Sequence, residues 1–246
     1  MRVRHGLFPI IVITAFLSVP APASAQWSFT FYFGSQHTAS TTVSINQPSL
    51  NTALDFHDVT FVGKPLTWPP YYGGRVQWLN GTGRFGLEAE FLHSKVYSVT
   101  AAPIHVTGTL DGNAVDGTIS MDTIVQRYNM THGHCFIFGN VVVRQPLYDR
   151  GGAHEVALVL RGGAGPAFQG VDSVVRFVSV QRTAEWQGAG GQAAAGLNLH
   201  LGGILSAEVE YKMTFVRPTI SVYAGSGTMT ARTQQVTVGA TVRVFR

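Results

Sequence analysis

The sequence predicts an all-β fold, an eight-stranded antiparallel up-and-down β-barrel that spans a membrane. Three observations lead to this prediction: hydropathy alternates with a period of two, short and long connections alternate between the strands, and charged residues make up only 12% of the chain. Soluble domains average about 25% charged residues. A barrel with lipid outside and packed side chains inside leaves few positions for charge and has an even number of alternating strands.

Residues 1–25 have the pattern of a cleaved signal peptide. Two arginines near the N-terminus precede a short apolar run at 7–19, and small residues end the segment at Ala25, the order that signal peptidase substrates share. The apolar run is shorter than the about 20 residues that a transmembrane helix needs. We therefore expect export from the cytoplasm and a mature chain of one domain, residues 26–246.

The first four strands each alternate apolar with small or polar residues. The first, 27–34, has Trp or Phe at every odd position. The second, 71–79, alternates Tyr, Val and Trp with Gly, Arg and Gln, and the third, 84–97, alternates Phe and Leu with Glu. The fourth, 133–145, places Cys, Ile and Val opposite His, Asn and Arg.

The remaining four strands show the same alternation. The fifth is 154–168 and the sixth 185–201, with Val, Leu and Ala opposite Glu, Arg, Gln and Asn. The seventh, 206–215, alternates Val, Tyr and Met with Glu and Lys, and the eighth, 233–245, alternates Val with Thr and Gly. The end of the eighth strand resembles the signal recognised by outer-membrane assembly machinery, although Arg246 follows the final Phe.

The connections between these strands set the topology. Short connections are predicted at 80–83, 146–153 and 201–203, and long ones at 38–70, 98–132, 169–184 and 216–232. Outer-membrane barrels have short periplasmic turns and long extracellular loops, so we expect the long connections at the cell surface. A secreted β-sandwich is the alternative, but it would bury two apolar faces against each other. The second faces here carry Gly, Ala, Asn and Gln, which favours a polar barrel lumen.

Composition limits the partners of the mature chain. Loss of Arg2 and Arg4 reduces 17 Lys and Arg to 15, against 13 Asp and Glu, a formal charge of +2. No basic stripe remains, so we expect no nucleic-acid partner. Cys135 is the only cysteine, which excludes an intramolecular disulfide and a cysteine zinc cluster. We expect a monomer in the lipid of the bacterial outer membrane.

Histidines cluster at the outer end of the predicted barrel: His37, His57, His93, His105, His132 and His134. Imidazoles and carboxylates together bind divalent metals, and histidine is an acid and base near neutral pH. The candidate metal ligands are His57, Asp58 and His132, for a divalent metal of unassigned identity. The candidate catalytic residues are Glu90, His93 and His134. Glu90 and His93 have opposite strand parity, so they can share a site only if a bulge or the strand end turns one of them.

Basic residues at the rim suggest binding to the phosphates of lipopolysaccharide. The candidates for this role are Arg75, Lys95 and Lys212. A structural role is the alternative for much of this set, because an eight-stranded barrel has room only for side chains. We expect a luminal ion-pair network of Glu88, Glu208, Arg161 and Arg243, and the same role stays open for Arg75, Glu90, Glu210 and Lys212. The exposed aromatics Trp68, Tyr71, Tyr72, Tyr97 and Trp186 are expected in an interfacial girdle.

Several stretches resemble the lipid A oxidases of the outer membrane and their close barrel relatives. They are Phe56-His57-Asp58-Val59, Gly63-Lys64-Pro65, the run from Trp68 to Arg75, the run from Phe91 to Tyr97, Thr131-His132-Gly133-His134, Ala184-Glu185-Trp186-Gln187 and Glu210-Tyr211-Lys212. The resemblance spans most of the mature chain and is poor in the loops and at 151–180. It implies oxygen-dependent oxidation of the proximal glucosamine of lipid A to 2-aminogluconate at the cell surface, with a divalent metal as an expectation.

Two other functions remain open from the sequence. One is a non-enzymatic small barrel that stabilises the envelope or binds a surface ligand, because fold similarity does not transfer function. The other is a lipid A acyl hydrolase, although no Ser-His-Asp order marks a nucleophile. Mass spectrometry of lipid A distinguishes the three, since oxidation adds an oxygen, hydrolysis removes an acyl chain and a structural barrel changes neither.

Overall fold

The computed structural model describes residues 26–149 and 154–245, without the side chains of His132 and Phe245. The predicted signal peptide, residues 1–25, lies outside the described residues. The strands are β1 Gln26–Thr38, β2 Thr41–Gln47, β3 Thr52–Val59, β4 Phe61–Val62, β5 Tyr72–Leu79, β6 Phe85–Ser98, β7 Pro103–Leu110, β8 Asn113–Ser120, β9 Val125–Asp149, β10 Glu155–Val175, β11 Val178–Gly202, β12 Leu205–Val216, β13 Thr219–Val222, β14 Gly225–Met229 and β15 Ala231–Phe245. Two 3-10 turns, Pro48–Leu50 and Met121–Thr123, accompany them. Among the described residues, no helix is long and apolar enough to cross a membrane.

Eight of these strands close into a ring, which confirms the predicted barrel. The order around it is β1, β5, β6, β9, β10, β11, β12 and β15, and β15 pairs again with β1. Every neighbouring pair is antiparallel. A closed ring satisfies all backbone groups between strands, which is what the interior of a bilayer demands of a spanning sheet.

The outside of the ring is apolar. Phe29, Phe31 and Phe33 on β1 are 49–52% exposed, and Val236 and Val238 on β15 are 53% and 60% exposed. Large apolar side chains of the other barrel strands point outward in the same way. Such a surface is stable only in contact with lipid, so the fold is that of a transmembrane β-barrel.

An outward row of mostly aromatic side chains crosses six strands in continuous register. Its members are Phe33, Tyr72, His93, Cys135, Phe168 and Trp186, each paired with the next. Tyr and Trp concentrate where a membrane meets water. We refer to these six residues as the aromatic row and take the strand segments between it and the short turns as the membrane-spanning segments.

Above the aromatic row the long connections form a second sheet instead of the expected loops. Its order is β13, β14, β2, β3, β7 and β8, and we call these six strands the cap sheet. The long connections predicted at 38–70, 98–132 and 216–232 contain these strands, which the sequence did not predict. The barrel strands are also longer than predicted, since β9 begins at Val125 and β11 at Val178.

The cap sheet has an apolar core. Phe56 and Val106 from the cap sheet are fully buried in one cluster with Tyr128 and Val175 from the upper parts of β9 and β10. The cluster continues downward to Phe136, which points into the barrel. Because hydrophobic side chains fill the space between cap and lumen, the mouth of the barrel is closed by a packed layer.

Candidate functional site

The lumen below this layer contains a buried ion-pair network centred on Glu90. The Glu90 carboxylate accepts hydrogen bonds from Arg75, Lys212, Tyr32, Asn140 and Gln192. The Arg75 Nε to Glu90 Oε1 distance is 3.2 Å, and the Asn140 Nδ2 to Glu90 Oε2 distance is 3.0 Å. A carboxylate has about four lone-pair sites, so Glu90 is saturated by protein donors.

Three further glutamates complete the network. Arg161 donates to Glu88 and Glu208 at 3.0 Å each and also to Glu210. Arg75 bridges to Glu208 and Glu210 from the other side. Four carboxylates thus face three cations, all of them buried in the membrane-spanning part of the barrel. The predicted luminal role of Glu88, Glu208 and Arg161 agrees with these contacts.

Arg243, which was predicted in this network, lies lower in the lumen, and the ion pair described for it is with Glu155. Its Nη2 atom lies 4.0 Å from Glu155 Oε2, and Arg144 donates to the same carboxylate at 2.6 Å. Both arginines lie at the turn end of the lumen, where they line a shallow recess with Gln77 and Asn198. The alternation along β15 places Arg243 on the luminal face, as predicted. Arg243 lies nearer the turn end of the strand than the network around Glu90.

Two of the three residues predicted to bind phosphate therefore lie inside the barrel. Arg75 is 3% exposed and Lys212 is fully buried. Their charged groups also flank the ring of Tyr32, with Arg75 Cζ at 4.4 Å and Lys212 Nζ at 4.8 Å from its centroid. Both cations are engaged by luminal carboxylates and are separated from lipid by the barrel wall.

His93 faces the other way, toward the outside of the barrel. Its ring stacks on Tyr72 with a centroid distance of 4.9 Å, and Nδ1 donates to the Pro70 carbonyl at 3.1 Å. The donation fixes the orientation of the ring, and in the neutral imidazole it leaves the lone pair on Nε2. His93 is the single ionisable imidazole in the aromatic row, and Cys135 is its neighbour there.

Lys95 lies on the same outward face, one step above His93. Its ammonium donates to the carbonyls of Thr67 and Trp68 at 3.2 and 3.0 Å. The next outward residue, Tyr97, has the ammonium of Lys64 at 4.4 Å from its ring centroid. Lys95 thus fixes the backbone of the segment that covers this face, and Lys64 is a second cation beside it.

The Thr131–His134 motif meets this face from β9. Gly133 has a φ of +113°, and a Cβ there would lie 3.2 Å from His93 Cδ2 and 2.7 Å from Cys135 Sγ. The position accepts only glycine, both for its backbone angle and for the close approach of His93. The side chain of His132 lies outside the described part of the chain.

His134 points into the protein, away from His93. It lies just above the aromatic row, its ring is edge-on to Phe136 at 4.5 Å, and neither ring nitrogen has a hydrogen-bond partner among the described residues. Burial, with a smaller contribution from the nearby His93, lowers the pKa of His134 to about 3. His134 is therefore neutral near pH 7. The three predicted catalytic residues lie in three environments: lumen, outer wall and cap core.

The predicted metal ligands His57 and Asp58 lie in the cap sheet. His57 Nε2 is 2.8 Å from Thr107 Oγ1, and its ring stacks on His105 at 5.2 Å. Asp58 is exposed, with a φ of +55°. Within 26–149 and 154–245, no three His, Cys, Asp or Glu side chains are grouped as metal ligands. The described donors do not fit a metal centre, and we assign no chemical step to one.

Sequence reasoning did not single out Cys135 or Lys64 for this face. The register that brings Cys135 beside His93 depends on the pairing of β6 with β9, two strands separated by a long connection. Lys64 lies in the long connection 38–70, whose structure the sequence does not indicate. The resemblance gave the available signal, since the stretches at 63–65, 68–75, 91–97 and 131–134 all meet here.

No family model matches the chain, and no curated protein matches it. Among solved structures, the chain is similar to Ail, the attachment invasion locus protein of Yersinia pestis, solved in complex with the heparin analogue sucrose octasulfate. That match has 8% identity and a TM-score of 0.33, and it covers 90% of this chain and 98% of Ail. The chain is also similar to Neisserial surface protein A, with 7% identity and a TM-score of 0.36 over 89% of this chain and 97% of the other.

Proposed function

We propose that this protein is a bacterial outer-membrane barrel that binds lipid A against its outer wall and oxidises the proximal glucosamine to 2-aminogluconate. One observation carries the proposal. Four of the seven stretches that resemble lipid A oxidases, at 63–65, 68–75, 91–97 and 131–134, meet around His93, on the outward face and in the aromatic row. Lipid headgroups lie at this height of a barrel, so a lipid A sugar would approach laterally, from the membrane, toward His93, which is 5% exposed beneath the covering segment.

Among the predicted catalytic residues, we assign a chemical role only to His93. In lipid A whose C1 oxygen carries no phosphate, oxidation of the C1–OH unit to a lactone removes two electrons and two protons, which dioxygen accepts to become hydrogen peroxide. Water then adds to the lactone and gives the aminogluconate carboxylic acid. A neutral imidazole whose Nδ1 is held by Pro70 is suited to accept the hydroxyl proton at Nε2.

The test is mass spectrometry of lipid A from an aerobically grown host that makes lipid A with a free C1 hydroxyl and lacks the reaction. With the wild-type gene we expect lipid A with one added oxygen, and with His93→Ala we expect unmodified lipid A. Heat-modifiable migration of both barrels on gels controls for folding. Unmodified lipid A from a folded wild-type barrel would refute the oxidation, and loss of an acyl chain would replace it by a hydrolase.

A non-enzymatic barrel is the second candidate, and a specific observation favours it. His93 and Lys95 both donate to backbone carbonyls of the same covering segment, which is what two structural residues would do. On this alternative His93→Ala leaves lipid A unchanged relative to the wild type and loosens the covering segment. The same spectra distinguish the two functions.

A further inference from the structure

Residues 64–70 form a fixed segment on the outer wall, which we call the wall loop. Within it, the amide of Thr67 donates to the Lys64 carbonyl at 3.1 Å, and the amide of Tyr71 donates back to Pro65 at 2.8 Å. The side chains of Lys95 and His93 bind three more of its carbonyls. Hydrogen bonds from both its own backbone and the barrel wall therefore give the wall loop one defined conformation.

This fixed loop holds two large apolar side chains away from the protein. Leu66 is 91% exposed and Trp68 is 86% exposed, more than any other large apolar side chain in 26–149 and 154–245. A mobile loop can turn such side chains inward, but a loop pinned at its carbonyls cannot. Apolar side chains fixed in this way gain stability only if something other than water surrounds them.

The position of the wall loop indicates what surrounds Leu66 and Trp68. The loop rests on His93, which stacks on Tyr72, and both residues belong to the aromatic row. Leu66 and Trp68 thus emerge at the height where the bilayer meets its headgroups. Tryptophan is favoured at this interface because its ring is apolar and its N–H is polar.

The charges beside the loop identify the headgroup. Lys64 is exposed, and its ammonium lies over the Tyr97 ring at 4.4 Å. Neither Lys64 nor Lys95 takes part in an ion pair with a carboxylate of the described residues. Lys95 is 4% exposed and donates to the loop carbonyls, so Lys64 is the cation available to a ligand. An exposed cation without a carboxylate partner, next to exposed apolar groups, is complementary to a phosphorylated lipid.

We propose that the wall loop is a lipid clamp: Leu66 and Trp68 insert into the outer leaflet, and Lys64 binds a phosphate of a phosphorylated glycolipid. The inference rests on the proposed function, because the clamped glycolipid is the one whose sugar would face His93. It adds a binding site on a different segment of the chain. Its test does not depend on any reaction.

Insertion is tested by the depth of Trp68. A variant with Trp27→Phe, Trp78→Phe and Trp186→Phe keeps Trp68 as the only tryptophan, and a second variant keeps only Trp186 of the aromatic row. In vesicles of brominated phosphatidylcholine, we expect both tryptophans to be quenched to a similar extent and both to be protected from aqueous iodide. Quenching of Trp68 by iodide but not by brominated lipid would overturn the proposal.

Phosphate binding is tested with Lys64→Glu and the matched control Lys64→Arg. The probe is lipid A with one phosphate and a free C1 hydroxyl, added to phosphatidylcholine vesicles and followed through Trp68 emission. We expect Lys64→Glu to weaken binding about tenfold or more, the effect of losing one charge-assisted contact, and Lys64→Arg to retain it. Equal binding by both variants would overturn the phosphate site. Displacement of lipid A by millimolar inorganic phosphate alone would overturn the glycolipid as its occupant.

The two proposals fail in different ways. Unmodified lipid A with Trp68 quenched by lipid and with Lys64-dependent binding refutes the oxidation and retains the clamp. Oxidised lipid A with Trp68 open to iodide retains the oxidation and refutes the clamp. Heat-modifiable migration identifies any variant that fails to fold, and Leu66→Asp, at an exposed position, is the replacement variant for insertion, with expected loss of lipid A binding.

Discussion

Glu90 and His93 lie three positions apart on β6 and face opposite sides of the barrel wall. Glu90 is 1% exposed in the lumen, where protein donors saturate its carboxylate, whereas His93 stacks on the outward Tyr72. The irregularity in β6 comes after Ser94, above both residues, so it does not turn either one. Glu90 and His93 therefore do not share one site.

The luminal network predicts a strong effect of removing one charge. Lys212→Met leaves Glu90 and Glu210 with one cation fewer in a fully buried setting. Breaking a buried ion pair on one side costs about 3–5 kcal/mol, and we expect a loss of this order in the free energy of unfolding. Urea titration in detergent, followed by the folded and unfolded gel bands, measures it.

The double variant Glu90→Gln, Lys212→Met is the control for this prediction. It removes both charges, so it should recover a large part of the loss caused by Lys212→Met. Additive losses would show that the two side chains are not coupled. The double variant also tests Glu90 as a catalytic residue, because a stable barrel without the carboxylate should still oxidise lipid A if Glu90 is structural.

The cap sheet predicts a second pair of variants. Phe56 is fully buried in the cap core, whereas Phe177 is 78% exposed at a hairpin tip. Truncating a buried Phe to Ala costs about 3–5 kcal/mol, so Phe56→Ala should open the cap to limited proteolysis while the barrel stays heat-modifiable. Phe177→Ala should leave the cap resistant. Equal proteolysis of both variants would contradict a packed cap.

The barrel was predictable because each strand separates lipid from lumen. The alternation of Phe85, Leu87 and Phe91 with Glu88 and Glu90 has no other simple cause. The cap sheet was missed although its strands also alternate, as at Val43 and Ile45. Their partners lie far along the chain, since β2 pairs with β14, and the length of a connection indicates its side of the membrane but not its structure.

The sequence predicted residues of the candidate site but not how they are arranged in space. Strand parity already separated Glu90 from His93. The register that places Cys135 beside His93, and the carbonyl contacts of Lys95 with the wall loop, depend on pairings between distant segments, which one sequence does not specify. The depth of Arg243 in the lumen was not predicted for the same reason. The alternation along a strand indicates the face on which a side chain lies but not its depth in the barrel.

Variants of Lys95 can distinguish fixation of the wall loop from direct contact with the substrate. Lys95→Met removes the donor to the carbonyls of Thr67 and Trp68, so amide exchange across the wall loop should rise about tenfold or more. Lys95→Arg keeps the charge and should retain protection. Hydrogen exchange with mass spectrometry measures both. Weaker lipid A binding by Lys95→Met with unchanged exchange would instead support direct phosphate contact.

His134 predicts a pH dependence of cap stability. Its folded-state pKa is lowered to about 3, and an unfolded histidine titrates at about 6.5. As pH falls below about 6.5, the unfolded chain binds a proton that the folded protein excludes, so this residue removes stability progressively down to about pH 3. From pH 7 to 5 the loss approaches about 2 kcal/mol. His134→Leu abolishes this pH-dependent loss of stability. It also removes two buried nitrogens without partners among the described residues, which should stabilise the cap at pH 7 as well.

Native-state hydrogen exchange of the upper part of β9 at pH 7 and 5, corrected for intrinsic rates, measures both effects of His134→Leu, because all other titrating groups are common to the wild type and the variant. An identical pH dependence in the two proteins would mean that His134 is already protonated, or reached by water, in the folded state.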